Sequence, residues 1–492
     1  MQDGQDGQRE VGTVVARNSL SSLGAQMALK ILSFAYNIAI IRNLGDENFG
    51  IYATVGAFVG ILAVFGDFGM SNYAVREIAK DRSKAPKLFG NLVVLRAILA
   101  TLVLIVNTCL ALLLGYSAQL VGLIALSSAG LLLYSLQGPI SVVLQGHERI
   151  DFSSTLNVVN QITLIGVGAV LLWLGFGIPG IIMAGFAGVL AMIAVGWHWA
   201  SKLAPLKFEI DTSIWWSLLK AGLPFGITTF ATMLSFRMDT VLLNQWRTPE
   251  EVGWYNVAYN LIFSLLMISS AFNSTLVPSL SRQYTKDPTS VKQFYMGAVR
   301  MLWIASIPIA FGTTLLAERI IELLYGSEFL PASNALQILI WVMPILTVTS
   351  LCGSISTVLH REKATARLNI INAVFNISLN VWAIPRYGLL GAAMMTVATE
   401  FLGLTQYTML LRDAFPIKAI AAALIRPLIA SLVMCAVVLL IWNLPLLAII
   451  PIAGLVYVIT LVACGGIKLD EVRSIGNAIA SVFARRRAPA AK

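Results

Sequence analysis

Lys30 lies about thirteen residues into an otherwise apolar run, roughly 20 Å from its start at 1.5 Å per residue. An ammonium at that depth of a bilayer costs on the order of 3 kcal/mol unless it is paired or wet. It belongs to a stripe of Asn18, Ser22, Gln26, Lys30, Ser33 and Asn37, spaced by three or four residues and therefore on one helix face. A later run carries Thr228, Thr232, Ser235 and Asp239, which match Gln26, Lys30, Ser33 and Asn37 at an offset of 202. Such faces either line a water-filled cleft or glue a helix–helix seam. Lys30 weighs toward the cleft, because a seam rarely needs an ammonium.

Other ionisable groups enter apolar runs. Glu400 is central in its run, as a partner for Lys30, a proton or cation site, or a carboxylate lining the pathway. Asp239 lies near the external end of its run, where hydration is expected to make its charge inexpensive. Arg96 and Arg300 sit about two turns from the cytoplasmic face, and ligand binding and snorkelling accommodate them equally. Arg237 points off the stripe, toward packing or snorkelling. Positive charge in a cleft calls for an anionic ligand. Lysine meets phosphate as a point charge and arginine as a two-pronged fork.

The elements that must position these groups are membrane helices. Hydrophobic residues make up 58% of the chain, charged residues 12%, and the mean hydropathy is +0.80. Fourteen spans are expected: 17–41, 49–71, 90–114, 118–144, 153–175, 178–200, 218–243, 254–281, 292–316, 332–359, 364–384, 388–411, 419–442 and 446–467. The fold class is thus an all-α polytopic membrane protein. The net charge of +10 then reflects basic cytoplasmic loops rather than a nucleic-acid partner. With both termini in the cytoplasm, the external loops hold only Arg42, Arg247, Arg319 and Arg386. The basic clusters at Arg76–Lys87 and Arg485–Arg487 fall inside. Pro331 suits the first turn of a helix. Met1–Glu10 reads as polar and flexible, and the first span as an uncleaved anchor. Val472, Ile475, Ile479, Val482 and Phe483 read as an interfacial helix on anionic lipid or as a solvated basic end.

Several activities are disfavoured. The four cysteines lack metal or disulfide spacing, and no metal site or other cofactor is expected. There is no Gly-x-x-x-x-Gly-Lys-Ser/Thr loop for ATP. A membrane glycosyltransferase needs a sizeable external loop with carboxylates or histidines. The external loops are short, and His147, His198 and His360 all fall at cytoplasmic ends.

The chain repeats itself. Leu32-Ser33-Phe34 returns as Leu234-Ser235-Phe236; Glu47, Gly50 and Tyr52 return as Glu250, Gly253 and Tyr255. Arg96 meets Arg300, His147 meets His360, and Leu156-Asn157 meets Leu368-Asn369. Each unit holds six spans, so both halves enter the membrane in the same sense, about a pseudo-twofold axis along the membrane normal. The expected divisions are a cytoplasmic segment 1–16, an N-lobe 17–215, a C-lobe 216–415, spans 13 and 14 at 416–467, and a basic tail 468–492.

Residues 42–79 carry Arg42-Asn-Leu-Gly-Asp-Glu-Asn-Phe-Gly-Ile-Tyr52, Gly66-Asp-Phe-Gly69 and Ala74-Val-Arg-Glu-Ile-Ala79. Together with Gln137-Gly-Pro139, Gly146-His-Glu-Arg149, Ala221-Gly-Leu-Pro224, Arg237-Met-Asp239, Gly253-Trp-Tyr255, Asn369 through Asn380, Gly388-Leu-Leu-Gly-Ala-Ala393 and Glu400, this ordered set resembles the polysaccharide biosynthesis, or Wzx-type oligosaccharide flippase, family of the multidrug/oligosaccharidyl-lipid/polysaccharide exporter superfamily. The resemblance implies two six-helix lobes working by alternating access. It implies export of a polyprenyl-pyrophosphate-linked oligosaccharide across the plasma (inner) membrane, with membrane lipids and the pathway's polymerase and glycosyltransferases as partners. It also suggests a cationic cavity. Repeat logic places Lys30, Arg96, Arg300, Gln26, Asn37, Thr232 and Ser235 there. Asp239 and Glu400 are candidates for H⁺ or Na⁺ coupling. Lipid II export and multidrug/cation antiport within the same superfamily are the nearest alternatives, although Lys30, Arg96 and Arg300 favour an anion over a cationic drug.

Overall fold

A computed structural model describes the backbone over 3–266, 288–359, 361–413 and 417–467, and side-chain surroundings there except at 3–28, 150, 288–294, 362 and 417–419. The described chain is helical and without strands: α1 (Asp3–Ala63), α2 (Met70–Lys80), α3 (Ala85–Leu113), α4 (Ala118–Gly146), α5 (Ile150–Trp173), α6 (Gly177–Leu203), α7 (Trp215–Trp246), α8 (249–266), α9 (Pro288–Tyr325), α10 (Ala332–Leu339), α11 (Val342–Val358), α12 (Glu362–Leu410), α13 (Ile417–Leu440) and α14 (Leu446–Ala463). Among the described residues, eleven helices are long and apolar enough to cross a membrane. The chain is an integral membrane protein.

Two of those eleven cover more than one expected span: Leu29–Lys80, 52 residues, takes in the rest of α1, the 64–69 turn and α2, and Lys363–Leu410 has 48 residues. At 1.5 Å per residue an unbroken helix of 48 residues would run to roughly 70 Å, more than twice a hydrocarbon core of about 30 Å. α1 and α12 each break at a glycine: Gly45 (φ 73°, ψ 175°) in α1 and Gly388 (φ 56°, ψ −136°) in α12. The two halves correspond to expected spans 1 and 2, and 11 and 12. Expected span 8 is described only as far as residue 266, and the tail helix 472–483 lies outside the described residues.

Three elements differ from expectation. The lead segment is helical from Asp3 and continuous with the first span. The loop after span 2 contains α2, whose Met70, Ala74 and Ile78 are buried at i, i+4, i+8 beneath a charged outer face. Expected span 10 is split at Ile340–Trp341. Pro344 has no N–H for the Ile340 carbonyl and its ring crowds that carbonyl, so the turn tightens to i→i+3 bonds. Pro331 does stand at the start of α10, as its cap.

The chain divides into two compact units, residues 1–256 with 380–388, and 257–379 with 389–492. This cut differs from the expected 17–215 and 216–415 lobes, because α7 packs on α1 and α2. In the first unit, Ile78, Phe89, Leu92, Ile140, Leu144 and Leu156 centre a core shared by α2–α6 and the start of α7. In the second, one core joins α9, α11 and α12 to the start of α13, and another joins α9 to α13 and α14.

Candidate functional site

Lys30 is exposed, as are its neighbours Ile31 and Leu32, and among the described residues it forms no ion pair. Asn37 is half-buried one and a half to two turns further along the helix. The side chain of Gln26 lies outside the described surroundings. On α7, Thr228 is exposed, Thr232 and Ser235 are half-buried, and Asp239 is buried. The α7 hydroxyls donate to their own helix: Thr228 to the Pro224 carbonyl (2.9 Å), Thr232 to Thr228 (2.9 Å) and Ser235 to Ala231 (3.0 Å). Ser33 does the same to Leu29 at 2.7 Å. These oxygens therefore present lone pairs rather than protons to anything beside them.

Asp239 is 2% exposed, so the expected hydration at the external end does not occur. Its carboxylate accepts from the Tyr255 hydroxyl (2.9 Å) and from the Asn380 amide (2.8 Å). Next to it, the Thr240 hydroxyl donates to Asn256 at 3.2 Å. The turn of α12 before Gly388 is fixed nearby. Arg247 donates to the carbonyls of Ile384 (3.2 Å) and Pro385 (2.9 Å), just ahead of the break at Gly388. Asp239 is thus held from both α8 and α12, and only Tyr255 had shown in the repeat.

Arg96 neither snorkels nor presents a free charge. Its side chain is 11% exposed and pairs with Asp67 at 2.9 Å, while also donating to the Ser71 hydroxyl at 2.9 Å. Ser71 closes the triangle by donating to Asp67 at 2.6 Å. A Cβ at Gly138 of α4 would collide with the guanidinium and push it aside. The pair pins the turn in which Phe68 (φ 52°) and Gly69 (φ 79°) are left-handed, and that turn abuts Gly222 and Gly226 of α7. Arg96 is a positioning residue. Arg300 belongs to the other unit, where its Nε donates to the Gly466 carbonyl at 3.0 Å, after the end of α14. The repeat equivalence of the two arginines therefore does not extend to their surroundings.

Glu400 is half-buried on α12. Alongside it the two halves of α12 are zipped by asparagines at helical spacing. Tyr407 donates to Asn369 at 3.2 Å, Asn372 packs on Gly403, and Asn376 lies 3.4 Å from the Thr399 hydroxyl.

Between α1, just past its break, and the start of α8 the repeat becomes visible as contact. A Cβ at Gly50 would strike the Pro249 carbonyl, and a Cβ at Gly253 would strike the Asp46 carbonyl. The two glycines, and the two carbonyls they face, are each 203 residues apart in sequence, so the contact is reciprocal, as at a twofold axis. Trp254 adds a hydrogen bond to Asp46 at 3.1 Å.

A model of the family described as polysaccharide biosynthesis protein matches residues 15–284, and a MatE model matches 224–382. A probable low-salt glycan biosynthesis flippase of Haloferax volcanii, Agl15, is 24% identical over 78% of this chain and 80% of its own length. A putative O-antigen transporter of Shigella flexneri is 21% identical over 72% and 87%. The solved structure of the lipid II flippase MurJ in an inward closed conformation superposes with a TM-score of 0.72 at 18% identity, over 88% of this chain and 98% of that one. A multidrug resistance MATE family transporter of the MOP superfamily, inward-facing, gives 0.63 at 15% identity, over 77% and 94%. Both structures show the shared fold.

Proposed function

Since the chain belongs to the polysaccharide biosynthesis protein family, we propose that it carries a polyprenyl-pyrophosphate-linked oligosaccharide, a repeat unit of cell-surface polysaccharide or O-antigen, from the cytoplasmic to the outer leaflet. Relatives named as a glycan biosynthesis flippase and an O-antigen transporter support that cargo class, and they are transporters rather than enzymes. The physical problem is the head group. Pyrophosphate and sugar hydroxyls lose their hydration in hydrocarbon at prohibitive cost, while the prenyl tail is at home there. A polar path through the protein removes the first cost and leaves the tail in lipid.

The observation that carries the reading is Lys30: an exposed ammonium, without an ion pair among the described residues, on the polar face of a membrane helix. It docks the pyrophosphate as a point charge, and Asn37, Thr232 and Ser235 supply weaker polar contacts, as does Gln26. Arg96, neutralised by Asp67, shapes the scaffold instead. Alternating access moves the occupied path from one leaflet to the other, with both termini in the cytoplasm and the protein in the inner membrane beside the pathway's glycosyltransferases and polymerase. Asp239 and Glu400 couple the cycle to H⁺ or Na⁺. A buried carboxylate held by Tyr255 and Asn380 changes the local charge when it takes up a cation.

Complementation of a strain lacking the native transporter tests the assignment. Lys30→Ala and Lys30→Glu abolish surface polysaccharide at normal membrane abundance; full activity of Lys30→Glu removes Lys30 from the path.

A further inference from the structure

Residues 204–214, between α6 and α7, join the two sequence repeats, and from 205 to 211 they have no regular structure. A connection that bends between two moving lobes would lie free of both. Here one side chain of α3 holds it. Asn91 is 0% exposed and uses all of its hydrogen-bonding capacity. Its amide nitrogen donates to the Lys87 carbonyl of its own helix (2.8 Å) and to the Glu209 carbonyl (2.9 Å). Its amide oxygen accepts from the Asp211 N–H (2.8 Å) and from the indole of Trp215 (2.9 Å), the first residue of α7. An ionised aspartate in its place would lack both donors, and a leucine of similar shape would lack donors and acceptors alike.

The surroundings secure the same segment. A Cβ at Gly90 would come within 2.7 Å of the Lys207 carbonyl oxygen and of the Glu209 nitrogen, so the backbone of 207–209 lies directly on α3. Lys87 pairs with Asp211 at 2.6 Å. The Phe208 ring meets Phe89 at 5.8 Å and Trp197 at 6.4 Å between centroids. Leu218 then enters the core shared by α2–α6, and a Cβ at Gly222 would strike the Phe68 carbonyl. All of these contacts lie inside the first compact unit. At the offset of 204 that joins Arg96 to Arg300, Asn91 falls on Tyr295, which meets Cys352 at 3.2 Å. The clasp is therefore peculiar to the half that another half follows.

We propose that Asn91 makes residues 204–214 a fixed strap, so that the first turns of α7 travel with α2 and α3 through the transport cycle and none of its motion is taken up in the strap. Asn91 is then a positioning residue, acting through the start of the helix that carries Thr232, Ser235 and Asp239. The cycle rests on the transport reading; the clasp does not, and each is read by its own measurement.

Hydrogen exchange on the purified full chain reads the clasp without cargo. Peptides covering 207–215 exchange slowly in wild type, and Asn91→Ala and Asn91→Asp speed them about tenfold or more while peptides from α9 to α11 keep their rates. Equal exchange in wild type and both variants overturns the clasp. Flipping of a fluorescent polyprenyl-pyrophosphate trisaccharide in liposomes reads the strap. Lys87→Cys/Asp211→Cys, with Cys109, Cys352, Cys435 and Cys464 replaced by alanine, is bridged by a short bis-methanethiosulfonate and flips at the unbridged rate. In the Asn91→Ala background turnover falls about tenfold at unchanged half-saturation, and the bridge restores it. Arrest by the bridge that a reductant reverses overturns the fixed strap. Absence of flipping by wild type defeats the transport reading instead, and hydrogen exchange then decides the clasp alone.

Discussion

Replacing Arg96 with methionine keeps most of the side chain's apolar length and removes its charge. In the native protein the guanidinium is 11% exposed and its partner Asp67 is 31% exposed. Fully exposed pairs are worth about 0–1 kcal/mol, and breaking a buried pair costs about 3–5 kcal/mol. Asp67 keeps partial access to solvent, so the coupling should fall between those limits, at about 2 kcal/mol. Ser71 bonds both members, and this network resists replacement of either one. The assay is a double-mutant cycle on unfolding free energy in mixed micelles, comparing wild type, Arg96→Met, Asp67→Asn and the double variant. A single substitution should destabilise nearly as much as both together. Additive effects, with a coupling energy under about 0.5 kcal/mol, would refute the assignment of Arg96 as the pin of the 64–69 turn. Gly138→Ala should mimic Arg96→Met, because the added methyl displaces the same guanidinium.

Other outcomes follow from the same geometry. Gly50→Ala and Gly253→Ala should each destabilise by about 1–3 kcal/mol through overpacking, whereas Gly56→Ala, with open space around it, should gain up to about 1 kcal/mol from helix propensity; equal stability of all three variants removes the close contact. Asp239→Asn preserves shape and should uncouple transport in liposomes from imposed H⁺ or Na⁺ gradients, so retained ion dependence eliminates Asp239 as the coupling group. Lys87 (2.6 Å away), then Ser213, hold the Asp211 carboxyl down at about 2. A depressed folded value means this contribution is full above the ordinary 3.8 and is lost as pH falls toward about 2. The wild-type unfolding midpoint should therefore drop more steeply than that of Asp211→Asn in that interval, and parallel curves contradict the pairing.

The membrane helices were legible because hydrocarbon leaves a spanning chain few options. The reversals at Gly45 and Gly388 sit where the spans were parted, and Gly50 and Gly253, first noticed as repeated letters, meet in space. What escaped was the partner of each charge. Arg96 read as a cation seeking a ligand because Asp67 is 29 residues away in a turn whose left-handed Phe68 no periodicity announces. Asp239 read as hydrated because its donor Asn380 lies 141 residues on. Arg300 turns to a carbonyl beyond α14, outside the repeat that suggested its role. Hydropathy tells which segments enter the membrane; it is silent on which polar groups find one another there.

The mutual glycine contact has a bearing on ancestry. A half-length forebear that self-associated across a true dyad would have set this glycine against its own copy, and fusion of the two genes would have left the seam in place. Each glycine is therefore answerable to a neighbour encoded in the opposite half. Drift that enlarges one cannot be absorbed by shrinking the other, so at this contact the two halves are bound to change together or not at all.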